Sequence, residues 1–166
     1  MTVAARVLEE HANDGYVRLA ATMPMHADPD AVAAILVAGP GGWEERPGVQ
    51  GYRRFAVDLR LRLGGDTAAL TTFRKAALVD IGEVRPVAHG YVAEIAWRAA
   101  SAAPLFPVFS GELRLGPDEL SISGLYAPPG GMVGRIADRA LLHVAASGTA
   151  RWLLAELDRA ALGAAG

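Results

Sequence analysis

Residues 54–63 have the sequence RFAVDLRLRL, in which apolar residues alternate with charged residues or Ala. Successive side chains of a β-strand point to opposite faces, so this period of two predicts a half-buried strand. Its apolar face comprises Phe55, Val57, Leu59 and Leu61. The turn signal Gly64-Gly65-Asp66 follows, and residues 67–79 form a second β-rich run. These two runs are predicted to pair as a hairpin.

Upstream of this hairpin, residues 16–25 also alternate with a period of two and predict a first strand. Asp28 then has the position of a helix N-cap, and Pro29 that of the first helical residue. A short apolar helix is expected from there to Leu36, and Gly39-Pro40-Gly41-Gly42 ends it. We interpret residues 43–51 as a loop or a short helical turn.

Downstream, residues 87–98 predict another strand, with Tyr91, Ala93, Ile95 and Trp97 on one face. A loop is expected at residues 102–107. The runs at 109–115 and 120–126 flank Gly116-Pro117-Asp118-Glu119, which has the composition of a tight reversal between strands. A further hairpin is therefore predicted here.

Residues 132–162 contain no Pro and are rich in Ala and Leu, which predicts one long helix. An apolar stripe, expected to pack on the sheet, comprises Leu141, Ala145, Gly148, Trp152 and Ala155. A second set, Leu142, Ala146, Thr149 and Leu153, widens the apolar surface. The order is one strand, a short helical segment, five strands and the helix. Short turns between strands indicate antiparallel pairing. We expect an α+β fold in which a curved antiparallel sheet wraps around the long C-terminal helix.

Composition narrows the class of protein. The 166 residues are 52% hydrophobic and 20% charged, which predicts a single globular domain over residues 1–166. The net charge of −2 gives no basic excess for nucleic acid. The chain has no Cys, which excludes disulfides and thiolate chemistry and fits a cytoplasmic location. The first ten residues lack a signal-peptide pattern, and no uncharged stretch reaches the ~18 residues of a membrane span.

The C-terminal part carries a family resemblance. SGELRL at 110–115, the strand at 120–126 and APPGGMVGRIADR at 127–139 resemble the strand, Pro/Gly turn and helix start of START/Bet v 1-like proteins. This superfamily, also called SRPBCC or polyketide cyclase-like, has a helix-grip fold, and the resemblance covers residues 16–162. It includes lipid and hormone binders, aromatases and cyclases, and oxygenase subunits, so fold alone does not select a function.

Other chemistry has less support. Non-haem iron requires two His and a carboxylate, a spacing that His11, His26, His89 and His143 do not provide. His26, Asp28 and Asp30 alternate like cation ligands, but an N-cap already explains Asp28. Residues 131–134, GMVG, either bring backbone N–H groups to an anion or make a tight turn. No serine elbow occurs, and Glu94 and Glu112 are predicted to face solvent. No metal and no cofactor is predicted.

The resemblance implies that the apolar strand faces line a space under the helix. The candidate ligand-binding residues are Phe55, Val57, Leu59, Tyr91, Trp97, Tyr126 and His143. Each strand residue is alternatively ordinary core. His143, in the middle of the helix, is either structural or faces the cavity. In the cavity it would donate to a ligand carbonyl or serve as an acid or base, with Tyr91 or Tyr126 beside it.

The leading hypothesis is a binder or carrier of a small hydrophobic molecule. An aromatase/cyclase-like enzyme and a pocketless protein-interaction module are the alternatives. A binder needs apolar walls with few polar anchors, whereas an enzyme needs titratable groups that converge on one ligand position. The sequence indicates neither the ligand nor the oligomeric state.

Overall fold

The computed structural model describes residues 16–63, 71–100, 108–127 and 136–164, and at positions 59–63, 71–75, 127 and 136–145 it describes the backbone alone. The elements in these ranges are β1 (Val17–Pro24), α1 (Pro29–Ala38), β2 (Glu44–Arg46), β3 (Arg53–Leu63), β4 (Thr71–Ile81), β5 (Arg85–Val87), β6 (Gly90–Ala99), β7 (Val108–Leu115), β8 (Glu119–Ala127) and α2 (Ile136–Ala164).

The eight described strands form one sheet in the order β1-β8-β7-β6-β4-β3-β2, with β5 beside β6. Each pairing is antiparallel. The predicted hairpins are confirmed, because β3 pairs with β4 and β7 pairs with β8. In the second hairpin the Gly116 N–H donates to the Glu119 carbonyl at 2.8 Å. The first and last strands of the described chain are neighbours, so the sheet is assembled from both ends of the sequence.

Helix α2 contacts β1, β8 and β3. Strands β1 and β3 are five steps apart in the strand order, a span of roughly 24 Å in a flat sheet. A single helix is only about 10–12 Å wide, so it reaches both strands because the sheet curves around it. The predicted helix-grip architecture is therefore confirmed.

The short helix α1 begins and ends as predicted. The Asp28 side chain accepts the Asp30 N–H at 2.8 Å, and Pro29 is the first helical residue. Gly39, with φ of 95°, ends the helix and donates its N–H to the Ile35 carbonyl at 2.8 Å. The capping interpretation of Asp28 is confirmed. This helix packs against α2 and reaches β6 and β7.

Two short strands were not predicted. Residues 44–46 form β2 instead of a loop or helical turn. Pairing with β3 satisfies their backbone hydrogen-bonding groups, whereas three consecutive charged residues have no pattern that predicts a strand. The single strand predicted at 87–98 is divided into β5 and β6 by a turn at residues 88–89. At Gly90 φ is 126°, and a Cβ there would lie 1.8 Å from the Leu115 carbonyl oxygen, so the chain turns at a position only Gly can occupy.

The predicted stripe on α2 was wrong in phase. Its described members Gly148, Trp152 and Ala155 are only half-buried. The fully buried side comprises Ala146, Thr149, Ala150, Leu153, Leu154, Leu157 and Ala161. Three of these residues, Ala146, Thr149 and Leu153, belong to the second predicted apolar set. A curved sheet covers a broad part of the helix, so the large amphipathic indole of Trp152 lies at the border of the buried surface.

Some sequence predictions lie outside the described residues. These are the turn at 64–66, the loop at 102–107, the glycine segment at 131–134, the N-terminal residues 1–10 and the side chains of Leu141, Leu142 and Ala145. Neither of the two described helices is long and apolar enough to cross a membrane.

Candidate functional site

A row of apolar residues crosses the inner face of the sheet, one from each of six strands. Register pairs place Phe55 beside Val79, Val79 beside Trp97, Trp97 beside Phe109, Phe109 beside Tyr126, and Tyr126 beside Val17. Four of the six are aromatic. We call these six residues the aromatic row. The predicted site residues Phe55, Trp97 and Tyr126 thus lie in one line under α2.

The centre of the row is a stacked pair. The Trp97 and Phe109 rings are 3.9 Å apart at their centroids, with an interplanar angle of 15°. Gly111 and Gly124 are paired on β7 and β8 next to them. A Cβ on either glycine would lie 2.7–2.8 Å from the Phe109 Cζ atom. The Phe109 ring therefore lies over a glycine pair, which gives it room on the sheet surface.

The aromatic row is buried, but one of its polar atoms has no hydrogen-bond partner among the described residues. Phe55, Trp97 and Tyr126 are each 1% exposed. The Trp97 Nε1 atom is buried and finds no acceptor in the described part of the chain. A buried donor without a partner costs about 1–3 kcal/mol, and the great majority of such groups in proteins are paired. The Trp97 indole N–H is thus a buried polar group on the inner face that has no partner among the described residues.

Tyr91 lies apart from the row. It shares the inner face of β6 with Trp97, but Ala93 and Ile95 separate the two residues. Its hydroxyl donates to Asp30 Oδ1 on α1 at 2.6 Å. This hydrogen bond to a carboxylate, with burial and the negative charges of Asp30 and Asp28, raises the pKa of Tyr91. The Tyr91 hydroxyl is therefore hydrogen-bonded to α1, and Tyr91 and Tyr126 do not form a polar pair.

The other predicted site residues have different surroundings. Val57 follows Phe55 on the inner face of β3 and is 6% exposed. It also borders a cleft at the sheet edge, lined by Trp43 and Trp152 among others. Leu59 pairs with Lys75 in the β3–β4 ladder, and His143 lies in the first third of α2. The side chains of Leu59 and His143 are outside the described residues, so the site role of both stays a prediction.

The C-terminal part of α2 is fixed to the loop after β1. Asp158 Oδ1 accepts the backbone N–H groups of His26 and Ala27, each at 2.9 Å. The other oxygen, Oδ2, lies 2.9 Å from Nδ1 of His26. Burial alone would raise the pKa of Asp158, but these hydrogen bonds and the His26 charge outweigh it and lower the pKa. The helix is thus anchored by a carboxylate held in its charged form.

Metal binding has no geometric support within the described ranges. Their residues contain no group of three or more His, Cys, Asp and Glu side chains placed to hold an ion. Asp28 caps α1, and Asp30 accepts from Tyr91. Both carboxylates of the alternating His26, Asp28 and Asp30 set therefore have other partners.

Three solved structures have the same fold. The Zhui aromatase/cyclase from Streptomyces sp. R1128 matches with a TM-score of 0.53 and 17% identity, over 92% of this chain and 97% of that one. Ara h 8.0201 matches with 0.52 and 12%, over 90% and 99%. The di-domain ARO/CYC StfQ from the steffimycin biosynthetic pathway matches with 0.50 and 11%, over 98% of this chain and 56% of that one. No family model and no curated protein matches the chain.

These matches establish the fold of the chain. It has the helix-grip fold of the START/Bet v 1-like superfamily, as the segments at 110–115 and 127–139 indicated. Identities of 11–17% carry the architecture but no residue roles.

Several residues of interest were missed by the sequence reasoning. Phe109 was assigned to a strand but not to the site. Its distance in sequence from the hairpin turn at residues 116–119 nevertheless fixes its pairing with Tyr126. The contact between His26 and Asp158 joins residues far apart in the chain, and no local pattern predicts it. The same holds for Trp43 and Trp152, which line one cleft from a loop and a helix.

Proposed function

We propose that this protein binds a small, mainly apolar molecule between the inner face of the sheet and α2. The observation that carries the proposal is the unpartnered Nε1–H of Trp97 in the middle of the aromatic row. A ligand oxygen at this position would remove the cost of the buried donor, while the neighbouring rings would contribute apolar contact. The ligand class that fits is a hydrophobic molecule with one hydrogen-bond acceptor.

The way α2 lies on the sheet supports this placement. Its main contacts are with β3 on one side and β1 and β8 on the other, whereas the row is centred on β6 and β7. The row itself is closed in the unliganded chain, so binding requires the side chains between α2 and the central strands to separate. Candidate contacts are Phe55, Val57, Leu59, Trp97, Tyr126 and His143, with Tyr91 at the far end of β6.

Binding is favoured over catalysis by the chemistry of the anchor. An indole N–H donates a hydrogen bond but does not titrate near neutral pH, so Trp97 can orient a ligand without moving a proton. An aromatase/cyclase-like enzyme would need an acid or base at the same ligand position. Composition predicts a cytoplasmic, single-domain protein, and the carrier role is a proposal that rests on the inner face of the sheet.

The test compares two ligands that differ in one acceptor. We expect 2-acetylnaphthalene, which has a carbonyl, to bind about tenfold more tightly than 2-ethylnaphthalene, measured by Trp fluorescence titration. Trp97→Phe keeps an aromatic ring but removes the N–H, and should abolish this preference. Trp43→Phe, at the sheet edge, should retain it. Native mass spectrometry of the purified protein should also show a copurified small molecule.

The proposal has a clear contrary outcome. If neither naphthalene binds saturably and no small molecule copurifies, the inner face is ordinary core and the interaction module becomes the better hypothesis. If the two naphthalenes bind the wild type with equal affinity, and also bind Trp97→Phe with equal affinity, the indole N–H does not anchor the ligand.

A further inference from the structure

A second, separate cleft lies outside the aromatic row, where the sheet ends at β3. Strand β2 pairs with β3 only as far as the Glu44–Ala56 pair, so from Val57 onward β3 is the sheet edge among the described strands. Residues 41–43, before β2, and Trp152 and Glu156 of α2 line this edge. The resulting space is about 490 Å³, within the range of small-molecule sites.

Two indoles line this cleft from different elements. Trp43 comes from the loop before β2, and Trp152 comes from α2. Each is partly buried against the core and partly exposed. Trp43 is held by an edge-on contact with Phe55, at a centroid distance of 5.8 Å and an angle of 64°. The two aromatic walls are therefore fixed to the scaffold but present part of their surface to the cleft.

The charges that line the cleft do not balance. Three carboxylates, Glu44, Asp58 and Glu156, and one cation, Arg46, belong to the lining. Glu44 is paired with Arg46 at 2.7 Å, and Glu156 is paired with Arg159 one turn along α2. Asp58 makes no ion pair or hydrogen bond within the described part of the chain. Among the residues whose side chains the structure describes, Asp58 is thus a lining carboxylate without a counter-ion.

We propose that this cleft binds a small organic monocation with an apolar body, such as a substituted ammonium ion. The face of an indole attracts a cation through the ring quadrupole, and Trp is the strongest of the aromatic residues in this interaction. Asp58 supplies the compensating charge, while Val57 and Ala76, which also line the cleft, provide apolar contact. An anion would meet the Asp58 carboxylate, and a neutral molecule would leave that charge unused.

The cation site is distinct from the proposed apolar site, although Val57 borders both. It is open to solvent, lies at the sheet edge and takes a charged ligand, whereas the aromatic row is closed and apolar. Loss of one activity therefore does not imply loss of the other. The naphthalene ligands report on the row, and a cation probe reports on the cleft.

The experiment uses choline and its neutral carbon isostere 3,3-dimethylbutan-1-ol, which has the same shape without the charge. Saturation-transfer NMR titrations of the full chain should show choline binding at least about tenfold more tightly than the alcohol. Asp58→Asn should weaken choline about three- to tenfold and leave the alcohol unchanged. Asp118→Asn, the same substitution at an exposed turn, should leave choline binding unchanged.

The indole contribution is tested by Trp152→Leu and Trp152→Phe. Leu keeps an apolar side chain without a π face, and should weaken choline about tenfold, while Phe should retain part of the affinity. Equal binding of choline and the alcohol to the wild type would overturn the proposal without any variant. An equal effect of Asp58→Asn and Asp118→Asn would show that net charge, and not the cleft, attracts the cation.

Discussion

Arg54 on β3 and Asp80 on β4 form a two-point ion pair on the outer face of the sheet, with Nε–Oδ1 at 2.6 Å and Nη2–Oδ2 at 2.9 Å. The two residues are register partners, so the strand pairing itself holds the guanidinium opposite the carboxylate. Asp80 is only 3% exposed. A buried carboxylate of this kind loses its main stabilising partner when the guanidinium is removed.

Arg54→Met should therefore destabilise the protein by about 3–5 kcal/mol, because it leaves the Asp80 charge buried and unpaired. Urea denaturation at pH 7 measures the change. Arg18→Met is the matched control, since Arg18 is exposed on the outer face of β1 and should change stability by less than about 0.5 kcal/mol. A double variant, Arg54→Met with Asp80→Leu, should recover part of the loss. If the single variant matches its control, the pair is not important for stability.

Asp158→Asn should cost about 1–3 kcal/mol at pH 7. The amide oxygen can still accept both backbone N–H groups, since both donate to Oδ1, but the variant lacks the negative charge and the second oxygen that contacts His26 Nδ1. Equilibrium urea unfolding gives the difference from the wild type. Asp118→Asn again serves as control, and an effect as small as in that variant would remove Asp158 as an anchor of α2.

The contacts of Asp158 with His26 and Ala27 also predict how the stability of the protein depends on pH. The pKa of Asp158 is lowered in the folded state relative to its ordinary value of 3.8. Such a group contributes stability above the unfolded pKa and loses it as the pH falls through the folded pKa. The stability difference between the wild type and Asp158→Asn should thus be constant above about pH 5 and shrink below about pH 4. A difference that grows on acidification would contradict the assignment.

Two glycines should respond in opposite ways to Ala. At Gly111 a Cβ would lie 2.2 Å from the Ser123 carbonyl oxygen and 2.7 Å from the Gly124 Cα, so Gly111→Ala should cost more than about 3 kcal/mol. At Gly148 a Cβ meets nothing within 4 Å, and Gly148→Ala should stabilise α2 by about 0.5–1 kcal/mol. Thermal unfolding of both variants checks the pair. Similar effects in the two variants would contradict the glycine-pair geometry.

The corrected phase of α2 makes a further comparison. Leu154 is fully buried, whereas Trp152 is half-buried. Leu154→Ala should cost about 2–5 kcal/mol, and Trp152→Ala should cost less despite removing the larger side chain. Chemical denaturation decides between this order and the reverse. The reverse order would restore the stripe that the sequence pattern indicated.

The alternation of apolar residues in the predicted strands agrees with the inner face of the sheet in the structure. Alternation at 54–63 and 87–98 correctly placed Phe55 and Trp97 on apolar faces, because the period of a strand is independent of its neighbours. That both residues belong to one row depends on register through β4, which the sequence pattern did not specify. Three members of the row, Phe55, Trp97 and Tyr126, could therefore be predicted as site residues, but the row as a whole could not.

The short strands and the helix phase were beyond local patterns. Three-residue strands such as β2 have no period, and their existence depends on a partner strand. On α2 most positions are apolar or small, so two neighbouring stripes fit the sequence equally well. Only the curvature of the sheet decides which one is buried. That Trp97 Nε1 and Asp58 find no partner among the described residues is likewise a property of the assembled surroundings.

The neighbouring position of β1 and β8 has a consequence for synthesis. Because β1 pairs only with β8 within the described sheet, β1 has no partner among the described strands until β8 has been translated. The β3–β4 hairpin can form earlier, since its contacts are local. During translation the apolar side of β1 is then without its sheet, and nascent chains should depend on holding chaperones until the final helix emerges.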